Sequence, residues 1–140
     1  MSGPGARAAG RWLAGSGVTP GLALVTTATR GRETWKLMAA ELAARPRTVF
    51  EERLYEAGLG ELLALVNETS DDVGDLLVLG GNPGVHALAD ALTGEAEGDL
   101  PARMNRSGFP TASIAVLTCT GPWKAVEHGA ATLVAFWAPR

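Results

Sequence analysis

The chain has 140 residues, enough for one domain with a proper core and too few for two. Its apolar share of 46% suits an ordinary globular protein, and its net charge of −3 argues against a nucleic-acid or anionic-membrane partner. One cysteine, Cys119, excludes an internal disulfide and fits a reducing compartment.

Arg7 and Arg11 precede no continuous apolar stretch, so the N-terminus does not read as a secretory signal. Gly and Pro interrupt every apolar run before it reaches membrane-spanning length. The expectation is a cytoplasmic protein with no membrane segment. In chain order, residues 6–15 carry Ala and Leu at helical spacing and stop at Gly15. Residues 16–21 read as a loop, and 22–27 (LALVTT) as a short buried strand. Residues 31–44 place Trp35, Leu37, Met38, Leu42 and Ala43 on one helical face, which stops before Pro46. Residues 48–50 suggest a short strand and 59–67 a helix. Residues 75–80 (DLLVLG) form a second buried strand, followed by a Gly-Asn-Pro-Gly turn and a helix over about 84–93. Residues 95–110 read as a long polar loop. Residues 113–119 and 131–137 are β-rich runs that pair as a hairpin-like unit.

This order predicts one α/β domain over residues 1–140: a three-layer sandwich around a mixed, mostly parallel sheet. Ligands of such sheets bind beyond the carboxyl ends of the strands. Two turns stand there, Thr26 to Arg30 and Gly80 to Gly84, each leading into a helix. Both offer backbone N–H groups and a helix dipole to an anion, and Arg30 adds a guanidinium fork that matches phosphate oxygens. The competing reading makes Arg30 a solvated helix-start residue and the glycines mere turn formers. Neither reading is excluded by the residues themselves.

Thr26-Thr27-Ala28-Thr29-Arg30-Gly31-Arg32-Glu33-Thr34 resembles the Ser-x-Ala-x-Arg-x-x-Gln-Thr segment of the histidine phosphatase superfamily. Glu52 to Glu56 resembles its Leu-Tyr-Glu segment, and Val78 to Gly84 its Val-Gly-His-Asn-Pro-Gly segment. Phe109 to Ala112 and Leu133 to Trp137 resemble the small bacterial phosphohistidine phosphatases. The resemblance implies a histidine nucleophile in an Arg-His-Gly motif at the end of the first strand. It also implies a second histidine and two arginines on the phosphoryl oxygens, with an acid for the leaving group. Imidazole is a good nucleophile near neutral pH, and the cations stabilise the transition-state charge.

The chain departs from that pattern twice. The Arg-His-Gly segment is absent, and the second histidine position holds Gly81. Arg30 remains as phosphate ligand, with Gly81 and Asn82 beside it and Glu56 as candidate acid or base. His86 falls on the helix after Gly84 and reads as a packing or surface residue; His128 reads as a solvated turn residue. Cys119 reads as a small core residue within its strand. Trp12 and Trp35 read as core, and Trp123 and Trp137 as packed or exposed. No metal-ligand spacing occurs, and no cofactor is expected.

By resemblance, the first strand would lie between the strands at 22–27 and 75–80. Its loss leaves three outcomes: the strands close up, another chain fills the gap as in a homodimer, or the natural chain starts earlier. The favoured expectation is a degenerate relative without phosphatase activity. It would bind an acidic small molecule or partner, or run other chemistry in the altered pocket. The alternative is an active phosphohistidine or phosphomonoester phosphatase with a longer N-terminus. A third reading is a structural subunit whose sheet edge docks a partner.

Overall fold

The computed structural model describes residues 3–139. Helix α1 (Gly3–Gly15) leads to β1 (Leu22–Thr26), α2 (Thr29–Ala39) and β2 (Arg47–Glu51). Helix α3 (Leu59–Asn67), β3 (Leu76–Leu79), α4 (Gly84–Leu92) and β4 (Thr93–Ala96) follow. The chain closes with α5 (Leu100–Ser107), β5 (Ile114–Thr118) and β6 (Ala131–Trp137).

The fold is a mixed α/β fold, but its sheet is divided. One three-stranded sheet has the order β2-β1-β3 and is all parallel; the other has the order β4-β6-β5. Strand β6 pairs with β4 in parallel and with β5 antiparallel. The gap expected between the strands at 22–27 and 75–80 is not there, since β1 and β3 pair directly; the unpaired edges between the two sheets belong instead to β3 and β5, which no strand of the other sheet pairs among the described residues.

Strand β1 shows how the layers form. Its side chains alternate between two faces because a strand has period two. Ala23 and Val25 pack against Ala6, Ala9 and Leu13 of α1 and Trp35 and Met38 of α2. Leu22 and Leu24 pack against Leu62 and Leu65 of α3 and Leu88 and Leu92 of α4. Helices thus cover both faces of the first sheet. A third cluster joins Ala89 of α4, Leu100 and Met104 of α5, and Leu133 and Phe136 of β6.

Three expectations need correction. The helix expected to reach residue 44 ends at Ala39. Its last turn tightens: Glu41 N–H donates to Met38 and Leu42 N–H to Ala39, and Glu41 then turns its carboxylate toward Arg7 and Arg11. Residues 95–110 are not a loop, since they carry the end of β4 and all of α5. Helix α5 buries only Leu100 and Met104, four residues apart, a stripe too narrow to stand out among polar residues. Pro101 at its start and left-handed Gly108 at its end are the usual stop signals. Cys119 lies one residue beyond β5, half-buried, rather than inside it.

Candidate active site

The upper end of the first sheet, where β1 and β3 deliver their carboxyl termini, gathers the residues singled out by sequence. Strand β1 ends at Thr26, whose buried hydroxyl accepts from the Ala28 N–H at 3.2 Å. Helix α2 then begins at Thr29 with no side-chain cap, so the N–H groups of its first turn stay unspent. Arg30 is exposed in that turn and has no carboxylate partner among the described residues. Strand β3 ends at Leu79, and α4 starts at Gly84, again without a side-chain cap. Two positive helix ends therefore flank one opening.

Glu56 arrives from the third side, after the short 3₁₀ turn Glu52–Leu54. Gly84 explains the approach: a Cβ there would run into the Ala57 carbonyl, so only glycine lets α4 start against this loop. Arg53 anchors the same loop. Its guanidinium donates to Glu51 at 3.0 Å and reaches the Glu68 carboxylate at 2.6 Å. Hydrogen bonds from Arg53 hold both carboxylates below the usual range, and those bonds raise the arginine in turn.

Arg30, Glu56, Gly81 and Asn82 all line a single cavity of about 1430 Å³. Asn82 serves the wall: its amide donates to the Phe109 carbonyl at 2.6 Å and pins the loop before β5. Three non-glycine residues among those described have positive φ: Glu56 (52°), Phe109 (53°) and Ala112 (70°). All three line this cavity. Such backbone costs free energy and tends to gather at functional sites.

Both histidines lie elsewhere. His86 stacks on Phe109 with ring centroids 5.3 Å apart, and its Nε2 meets Asn105 Oδ1 at 2.8 Å. His128 is exposed in the turn before β6. Neither lines the cavity. Trp35 is buried as expected, Trp12 stacks on Trp137, and Trp123 donates its indole N–H to Val73, so packing explains all four. Tyr55, quoted from sequence only within the Leu-Tyr-Glu-like segment, is 55% exposed on the cavity rim, and sequence reasoning missed Ser113, whose buried hydroxyl has no partner among the described residues. No local pattern marks Ser113.

No family model matches the chain. Rv1276c, an uncharacterized protein of Mycobacterium tuberculosis, is 38% identical over 133 residues, covering 94% of this chain and 82% of its own. A protein from Nakamurella multipartitia assigned as the phosphohistidine phosphatase SixA superposes with a TM-score of 0.79 at 26% identity, covering 97% of this chain and 80% of that one. Its counterpart from Agrobacterium tumefaciens gives 0.76 at 28%, covering 96% and 78%. The chain belongs to the histidine phosphatase superfamily.

Within this superfamily member, Gly81 is the position to inspect. A Cβ built on it would meet nothing within 4 Å. The fold leaves room for a side chain there, and the sequence supplies none.

Proposed function

We propose that this histidine phosphatase relative binds a small acidic or phosphorylated ligand at the upper end of its cavity and does not turn over phosphate esters. One observation carries the reading. Arg30 and two uncapped helix N-termini face a single cavity that neither histidine lines. The guanidinium and the free N–H groups supply charge and donors for an anion. By the resemblance, position 81 would carry the second imidazole on the phosphoryl oxygens, and Gly81 has no side chain to supply it. Glu56, held at the rim in a left-handed conformation, is the candidate proton donor or acceptor for any other chemistry there.

The test pairs turnover with binding. Hydrolysis of an aryl phosphate and of a phosphohistidine peptide is measured for the chain and for Arg30→Ala. Orthophosphate binding is followed by calorimetry on the same two proteins. The expected result is no turnover above the variant and binding weakened at least about tenfold by the substitution, the usual loss when a charged hydrogen bond is removed. Turnover that vanishes in Arg30→Ala would replace this reading with that of a working phosphatase.

A further inference from the structure

The first sheet has two sides. Strand β3 lies along the cavity, and β2 stands on the opposite side, beyond β1. Among the described residues no strand pairs with the outer edge of β2, and no backbone bond from a turn or loop reaches residues 47–51. An edge of this kind presents a row of N–H and C=O groups to any strand that can lie beside it.

Charge is the usual device that blunts an edge, and on β2 it is arranged with opposite signs at the two ends. The start is basic. Arg45 and Arg47 are exposed there, and neither has a carboxylate partner among the described residues. The end is acidic. Glu51 and Glu52 stand there, with Arg53 shared between Glu51 and Glu68. Between them lie Thr48, Val49 and Phe50, which carry no charge. Phe50 is 50% exposed, although its register partner in β1, Val25, is fully buried. The Arg32 guanidinium lies over the Phe50 ring, 5.3 Å from its centroid.

We infer that β2 is a self-association edge, through which two copies of this chain pair antiparallel with Val49 on the two-fold axis and join their three-stranded sheets into one. The claim does not rest on the proposed anion site. A two-fold axis presents the same surface from both copies, so the edge must be complementary to itself. With Val49 opposite the partner's Val49, Arg47 falls opposite the partner's Glu51, and Glu51 opposite the partner's Arg47. Parallel pairing would set basic start on basic start and acidic end on acidic end. A carboxylate accepts several donors, so Glu51 can keep Arg53 and still receive the partner's Arg47.

The apolar residues fit the same register. Thr48 falls opposite the partner's Phe50, and the two Phe50 side chains become diagonal neighbours on one face, about 7 Å apart and within reach of aromatic rings. Each half-open ring then covers the other. The register also holds whichever backbone groups of β2 point outward. Val49 meets the partner's Val49 either as a hydrogen-bonded pair or as a non-hydrogen-bonded one, and both occur in antiparallel ladders.

The experiment is sedimentation equilibrium on the intact chain, with hydrogen exchange read at the β2 amides at low and high protein concentration. The expected result is a monomer–dimer equilibrium with a dissociation constant of about 10–100 μM, since an edge of five residues is small beside the interfaces of permanent complexes. Exchange at the outward amides of β2 should slow as the dimer forms. Arg47→Glu sets like charges opposite each other at both ends of the interface and should weaken the dimer at least about tenfold. Glu51→Lys should weaken it by a similar factor. An equimolar mixture of the two variants should recover to within about threefold of the natural chain, because every facing pair is again opposite in sign. Circular dichroism checks that each variant is folded. Arg47→Glu, at an exposed residue without an ion pair, tests the edge even where Glu51→Lys loosens its loop. The inference is overturned by a chain that stays monomeric throughout, or by a dimer whose β2 amides exchange as they do in the monomer. It is overturned equally by a dimer indifferent to Arg47→Glu, or by a mixture of two folded variants that stays monomeric.

Discussion

Strands β1 and β3 lie side by side in register, Leu22 opposite Leu76 and Val25 opposite Leu79, and are almost interchangeable in composition. Every residue of β1 is buried, and every residue of β3 is half-buried. The difference is one neighbour. β1 pairs with β2 on one side and β3 on the other, whereas the far edge of β3 lies along the cavity. Two strands of one composition thus hold unequal shares of the fold's stability. Burial is a property of position in the sheet more than of the run of residues itself.

The largest expected effect separates these strands. Leu24→Ala in β1 should cost about 2–5 kcal/mol in urea unfolding, the range for a buried leucine truncation. Leu77→Ala in β3 should cost about half as much, because part of its surface is already open and the cavity it leaves is not enclosed. Equal losses would show that β3 is as fully covered in solution as β1.

A second pair sharpens the contrast at the top of β3. Gly84→Ala should destabilise by about 1–3 kcal/mol through collision with the Ala57 carbonyl. Gly81→His should change stability by no more than about 0.5 kcal/mol, since the space is open and the site exposed. A large loss at Gly81 would mean that the upper cavity is narrower than its geometry shows.

Backbone strain on the rim gives a smaller effect. Glu56→Gly should leave the thermal midpoint unchanged or raise stability by up to about 1 kcal/mol, because glycine adopts positive φ without a Cβ penalty. A clear loss would show that the Glu56 side chain itself holds the loop.

The smallest effect concerns acid. Glu51 and Glu68 are held below their ordinary carboxylate values in the folded chain by Arg53. Their contribution is present above the unfolded value of about 4.5 and is lost as pH falls through the lower folded values. The Arg53→Met variant should therefore show a slightly flatter decline in stability below pH 4.5 than the natural chain. These groups are exposed and screened by solvent, so an unchanged acid limb would assign the network to loop positioning alone.

Much of the chain is legible from local pattern. The runs at 22–27, 75–80 and 131–137 are apolar enough to require burial, and the helices at 59–67 and 84–93 carry the periodicity of a one-sided face. Arg30 and Gly81 could be placed beyond strand ends because their turns stand between a strand and a helix. Helix α5 could not be read, since Leu100 and Met104 bury a stripe of two residues within a polar segment. The role of Asn82 in bracing the Phe109 carbonyl joins residues 27 positions apart, and no spacing rule reaches so far.

The sequence by itself determined the element order outside β4 and α5, the mixed α/β class and the absence of a side chain at position 81, because these follow from local propensity and from residue identity. Only the tertiary structure decided that the sheet is split between β3 and β5, that Glu56 lines one cavity with the ends of β1 and β3, and that Ser113 is left without a partner among the described residues. The physical reason is the same for each. Pairing, burial and hydrogen-bond satisfaction depend on residues far apart in the chain, and they take a value only once the layers are packed.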